Sequence, residues 1–199
     1  MFDDEPTGSP ASLTAILEAT NELGFGMPSD SRAGSLLRTL AAAKPNGSFL
    51  ELGTGTGIST AWILDGMDRA SKLVTVDTDD EVVAVARKNL GGDPRVEFVV
   101  GDGGAHLRRL LADGKRFDFV FADAWPGKYT HLDEALQLVC LGGLYIVDDM
   151  LPQPNWPDGH SMKVAALLTN LSSRPDFRVT RLKWSSGLVV AVRRRETPA

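Results

Sequence analysis

The chain has 199 residues, 43% of them hydrophobic and 24% charged, with a formal net charge of -5 at neutral pH. That length suits one domain with a continuous core, and the acidic balance argues against a phosphate-backbone partner, so no nucleic-acid binding is expected. The single cysteine, Cys140, excludes an internal disulfide and paired-cysteine metal sites; in its apolar run it is expected to be a buried, inert thiol.

Residues 1–10 are acidic and polar and read as a disordered tail. They lack the basic start and apolar stretch of a secretory signal, and the longest apolar run, 138–147, holds two glycines and is too short to span a bilayer. The expectation is a cytoplasmic protein with no membrane contact. Ser9 and Pro10 suit a cap and first residue for a helix over 11–23, with Leu13, Ile16, Leu17 and Thr20 on one face. A second helix, 31–44, carries Leu36, Leu37 and Leu40. The two form an amino-terminal segment, 11–45, ahead of a core over 47–199.

From residue 48 onward strands and helices alternate. Strand-like runs at 48–52, 72–76, 96–100, 117–122 and 143–147 are nearly continuous in Val, Ile, Phe and Leu, as strands buried on both faces should be. Helices are expected at 58–67, 80–89, 104–113, 129–140 and 162–173. Two last strands, 177–183 and 187–193, are close enough to pair antiparallel. The predicted fold is α/β: a Rossmann-like, mostly parallel seven-stranded sheet with helices on both faces and a C-terminal antiparallel hairpin. The basic run Arg193–Arg195 reads as a solvated end.

Polar residues gather where these strands end. The first strand runs into Gly53–Gly57, and the next four end at Asp77, Asp102, Asp123 and the pair Asp148–Asp149. In an open parallel sheet these ends share one edge, where ligands bind at the reversal of strand order. Any one of the aspartates could be a helix cap or turn residue. Together they need a cationic or hydrogen-bonding group among them, because like charges repel. The glycine loop lets the backbone turn sharply and approach a ligand. Neither reading frame supplies the third glycine of a dinucleotide fingerprint, and no Gly-Lys-Ser/Thr follows, so NAD(P) and P-loop nucleotide binding are disfavoured.

Glu51-Leu52-Gly53-Thr54-Gly55-Thr56-Gly57 after a hydrophobic strand resembles the first motif of class I S-adenosylmethionine (SAM)-dependent methyltransferases. Asp77, Gly101-Asp102-Gly103 and Gly142-Gly143 extend the likeness. Residues 119–125, Tyr129 and Asp148-Asp149 bring it closest to the catechol O-methyltransferase-like subgroup, family 3. The resemblance implies SAM contacts from Met27, Glu51, Gly53, Thr54, Gly55, Ser59, Asp77, Thr78, Asp102, Gly103, Asp123 and Trp125. Asp77 would take the ribose hydroxyls and Asp102 the adenine amine. It also implies a divalent cation such as Mg²⁺ on Asp123, Asp148 and Asp149, which would acidify the hydroxyl of a small catechol-like or phenolic acceptor.

Two residues depart from that pattern. Asp149 stands where the subgroup has asparagine. Pro126 stands where it often has a lysine base, which leaves Lys128, His131 and His160 as candidates. Lys128 is assigned with Asp123 to catalysis, against the bland reading of a solvated loop lysine. His106 reads as a surface or packing residue. Trp125 is placed near the acceptor, Trp156 either shapes acceptor specificity or pins its proline-flanked loop, and Trp62 and Trp184 are structural. The resemblance also implies a homodimer as one possible assembly. Two alternatives stay open: a metal-independent methyltransferase of the same fold, and a SAM-binding module without catalysis.

Overall fold

Alternate residues of the central strands feed two separate cores. Leu50, Leu52, Val120, Ala122, Tyr145 and Val147 enter one, and Phe49, Phe119, Phe121, Leu144 and Ile146 the other. Such two-sided burial is why these strands read as unbroken apolar runs. The computed structural model describes residues 6–154 and 156–194. Its strands are β1 (Ser48–Leu52), β2 (Lys72–Asp77), β3 (Val96–Val100), β4 (Phe117–Ala122), β5 (Val139–Val147), β6 (Phe177–Leu182) and β7 (Leu188–Arg193). They form one sheet in the order β3-β2-β1-β4-β5-β7-β6. The first five run parallel, and β7 pairs antiparallel with both β5 and β6.

The helices are α1 (Leu13–Leu23), α2 (Ser31–Ala42), α3 (Ile58–Gly66), α4 (Asp80–Leu90), α5 (Gly103–Ala112), the short turns α6 (Trp125–Lys128) and α7 (Leu132–Gln137), and α8 (His160–Ser173). α1, α2 and α3 pack on one face through Leu13, Leu37 and Trp62; α5, α7 and α8 cover the other through Leu107, Leu136 and Leu167. Trp62 is fully buried, and Trp184 donates its indole N–H to the Arg32 carbonyl at 2.8 Å, so both are structural. Strand order reverses at β1, with β2 on one side and β4 on the other. The crevice beyond their carboxyl ends is therefore the expected ligand site. No helix among the described residues is long and apolar enough to cross a membrane.

Several boundaries differ from the sequence expectation. α1 starts at Leu13 behind Ser12, whose side chain makes no capping bond, and not behind Ser9. α2 is capped by Asp30, which accepts from Arg32 N at 2.6 Å. The expected helix 129–140 is cut to α7, and β5 begins at Val139, because Val139 pairs in register with Phe117 and Phe117 N bonds to Leu138 O. Cys140 is thus a partly exposed strand residue and not a buried one, its thiol pKa pushed up chiefly by burial. His106 is buried, which makes it the packing residue of the two roles considered. Arg193 is a strand residue whose guanidinium bonds the Gln137 and Val139 carbonyls, so it is not part of a solvated end. Residue 195 and residues 1–5 of the expected tail lie outside the described residues; Thr7 accepts a bond from Arg38 at 2.9 Å.

Candidate active site

Positive backbone angles build the loop after β1. Gly53 has φ +103°, and a Cβ there would lie 2.7 Å from the Asp123 carbonyl. Only glycine lets β1 and β4 deliver their loops this close. Beneath the loop lies Glu51, fully buried. It accepts from Ser59 at 2.6 Å, Thr60 at 2.5 Å and Thr75 at 2.7 Å. Thr75 in turn meets Thr54 at 2.7 Å, and Thr20 of α1 donates to Thr56 at 2.8 Å. Glu51 and Ser59 are therefore supports under the loop, outside the wall of the cleft.

Burial raises the Glu51 carboxyl to about 7, with Asp123 adding to the rise and the three hydroxyls opposing it. A folded-state value above the unfolded one gives stability that is complete below the unfolded pKa and lost as pH climbs through about 7. Glu51→Gln removes this titration. Its melting temperature relative to wild type should rise between about pH 5 and about pH 8, by the equivalent of a few kcal/mol at most. Thermal melts of both proteins across that range check it.

The crevice is a cleft of about 880 Å³, within the size range of small-molecule sites. It gathers Met27, Gly53, Thr54, Gly55, Asp77, Thr78, Gly103, Asp123, Trp125, Lys128, Asp148 and Asp149 from the predicted set. Phe25–Asp30, between α1 and α2, forms one wall. At one end Asp77 accepts from Gly55 N at 2.9 Å and Asp79 N at 3.2 Å, so it braces the glycine loop. Each carboxylate oxygen keeps a further lone pair for a ligand. Asp102 caps α5, accepting from Ala105 N at 2.6 Å, between Gly101 and Gly103 on the cleft wall. The glycine cradle and the carboxylate at its lip fit a nucleoside, and the acidic lining suits a cationic sulfonium.

The other end is aromatic, with a charge at its floor. Trp125 is half exposed and lies edge-on to Tyr129, 5.6 Å between ring centres. The Lys163 ammonium sits 4.0 Å above the Trp125 ring. Tyr129 Oη lies 3.0 Å from His160 Nε2, and Trp156 packs on the His160 ring at 4.7 Å. His131 is set apart: it precedes α7 at φ +55°, with Nε2 2.6 Å from Arg108.

Lys128 is not a solvated loop lysine. Only 5% of its side chain is exposed, and its ammonium donates to Asp123 Oδ1 at 2.8 Å and faces Asp149 Oδ2 at 3.7 Å. Burial works to lower its pKa, but Asp123 and Asp149 outweigh it and hold the ammonium charged. Local backbone explains the inward path. Gly127 has φ +91°, and a Cβ there would meet Leu52 Cδ1 at 2.5 Å. Gly127 N bonds Thr130 O at 2.7 Å, and buried Tyr145 donates its hydroxyl to Gly127 O. Tyr145→Phe leaves that carbonyl without its partner and should cost about 1–3 kcal/mol, read as an earlier urea midpoint.

The expected metal group is not assembled. Asp123 is engaged by Lys128. Asp148, 2% exposed, accepts from Asp149 N at 2.6 Å and from the Ser186 hydroxyl. Burial first, then Asp123 and Asp149, push the Asp148 carboxyl to about 7. Asp149 takes a left-handed backbone, φ +64°, and its side chain is 46% exposed. Among the described residues no three His, Cys, Asp or Glu side chains are grouped to hold a metal ion. The donor set therefore does not fit Mg²⁺, because an ammonium already lies among the carboxylates.

Comparison with known proteins agrees with this geometry. The model of the O-methyltransferase family matches residues 13–194. A catechol O-methyltransferase from Niastella koreensis is 33% identical over 160 residues, covering 76% of this chain and 72% of that protein. A relative from Mycolicibacterium vanbaalenii is 31% identical over 142 residues, 69% of this chain and 62% of its own. The solved structure of the O-methyltransferase TomG from Streptomyces achromogenes, in complex with SAM, superposes with a TM-score of 0.82 at 25% identity, covering 94% of this chain and 92% of that one. A match across nearly the whole chain, on a sheet that presents its glycine turn and acidic strand ends to one cleft, makes this protein a member of the O-methyltransferase family, the class I SAM-dependent O-methyltransferases.

Proposed function

We propose that the protein transfers the methyl group of SAM to a hydroxyl of a small aromatic acceptor, catechol-like or phenolic. The observation that carries this reading is the two-ended cleft. A glycine loop and Asp77 lie at one end, an aromatic wall with the buried Lys128–Asp123 pair at the other. The ribose hydroxyls would bond Asp77 beside Thr78, with the cofactor's amino-acid portion over Gly53, Thr54 and Gly55 and its adenine along Gly101 and Gly103. The methyl group would lie between Met27 and Trp125. The acceptor ring would pack on Trp125, Tyr129 and Trp156.

The chemistry then needs little from the protein beyond position and charge. The acceptor oxygen attacks the methyl carbon in line, the carbon–sulfur bond breaks, and sulfur keeps the electron pair as a neutral thioether. The hydroxyl proton passes to Asp123, whose affinity for it is raised chiefly by burial and by Asp149, against Lys128. Lys128 keeps its own proton and faces the charge that develops on oxygen. Holding both substrates in contact supplies several kcal/mol or more of the barrier reduction. The metal-assisted form of this reaction, expected from the resemblance, draws no support from a donor set already engaged by the Lys128 ammonium.

The test is transfer of isotope-labelled methyl from SAM across a panel of catechols and phenols, with and without a chelator. Product formation that survives chelation is expected. SAM binding with no transfer across the panel would favour a non-catalytic module. Activity lost on chelation and restored by Mg²⁺ would favour the metal-assisted route.

A further inference from the structure

We propose that Lys128 is a built-in cation that occupies the place of a divalent ion and keeps divalent ions out of the cleft. This rests on the reading of that end of the cleft as the acceptor end. Three carboxylates, Asp123, Asp148 and Asp149, line one pocket with the ammonium. Without a cation they would repel one another and raise the cost of burying Asp148, which is almost fully enclosed. An ammonium has three donors. One goes to Asp123 and a second faces Asp149; the side chain also lines the cleft, so a third can meet an acceptor oxygen.

The arrangement is held by the backbone and does not depend on a free-swinging side chain. The turn at Pro126-Gly127 is fixed by the Tyr145 hydroxyl on Gly127 O, by Gly127 N on Thr130 O, and by Tyr129 N on Trp125 O at 2.9 Å. Leu52 lies where a Gly127 side chain would be. With that turn fixed, Lys128 reaches solvent only by giving up its bond to Asp123 and leaving Asp123 and Asp149 without a cation between them. A divalent ion would have to displace it at that cost. Asp149 in place of asparagine fits the same logic: one more negative charge is tolerated where a permanent positive charge already sits.

The experiment is a Mn²⁺ titration, followed by electron paramagnetic resonance, of the protein saturated with S-adenosylhomocysteine. Wild type should show no saturable site up to about 1 mM, the weak end of protein cation sites. Lys128→Met should gain one Mn²⁺ per chain, and adding Asp148→Asn should abolish it. Lys128→Gln serves in the same role should the Met variant not fold. A second readout needs only wild type: the shielded, paired ammonium should give a resolved ¹H–¹⁵N signal that Mn²⁺ leaves unbroadened. A stoichiometric Mn²⁺ site in wild type, a folded Lys128 variant that binds none, or a bleached ammonium signal would each overturn the proposal. Calorimetry of S-adenosylhomocysteine on the same samples keeps the readings separate. Its failure would strike the methyltransferase reading of the cleft and leave the cation result standing on its own.

Discussion

Lys128→Met should lower the methyl-transfer rate by roughly 100- to 10,000-fold while cofactor affinity changes little, the range seen when one positioned proton-transfer or charge-stabilising group is lost. The buried ammonium does two things at once. It offsets Asp123 and Asp149 in the resting protein, and in the proposed reaction it would face the acceptor oxygen as negative charge grows there. Methionine keeps the bulk and removes both effects, so the acceptor oxygen would meet unshielded carboxylates. Lys128→Arg should recover little, because a planar guanidinium does not fit a site shaped for a compact ammonium. Breaking a buried ion pair can cost about 3–5 kcal/mol of stability. Single-turnover rates should therefore be taken below the variant's own melting transition, with circular dichroism confirming the fold. A folded Lys128→Met enzyme with near-normal single-turnover rate would remove Lys128 from the chemistry.

Asp77→Ala should weaken SAM binding by about 100-fold or more. Two charge-assisted bonds to the ribose, each worth about 1.5–3 kcal/mol, set that scale. The structure adds a second loss: Asp77 accepts from Gly55 N, so the glycine loop loses a brace when the carboxylate goes. Asp77→Asn keeps one acceptor oxygen and should lose less than the alanine variant. Calorimetry with SAM separates the two, and equal affinity in wild type and Asp77→Ala would place the ribose elsewhere.

Much of this architecture was legible from periodicity and punctuation. Strands buried on both faces announce themselves as apolar runs, and β1, β3 and β4 lie at the residues predicted for them. The clustering of Gly53, Asp77, Asp123 and Asp148 followed from strand ends sharing one edge. What the chain concealed was tertiary. The run at 138–141 satisfies helix and strand alike, and only pairing with Phe117 draws Val139 into the sheet. Nor did residue type alone show that Asp102 also closes a helix end, or that Glu51 holds three hydroxyls under the loop.

The burial of Lys128 is what the local sequence concealed most, although the residue itself was among the catalytic candidates. Pro-Gly-Lys reads as an exposed turn because its local composition is that of a surface loop. Its burial depends on Tyr145, seventeen positions further along, and on Leu52 in another strand. The one available signal was electrostatic: a row of aspartates at one sheet edge demands a cation, and Lys128 was the nearest lysine. The Tyr129–His160 contact was equally hidden, since α8 brings His160 back to the cleft from beyond the loop that follows β5.

The most direct test of the account is a crystal structure with S-adenosylhomocysteine and a catechol. Ribose hydroxyls should lie on Asp77, adenine beside Gly101 and Gly103, and the acceptor hydroxyl within hydrogen-bonding distance of the Lys128 ammonium, which stays on Asp123. A nucleoside bound away from the Gly53–Gly57 turn, or an acceptor oxygen held by a metal ion with Lys128 turned out to solvent, would contradict it.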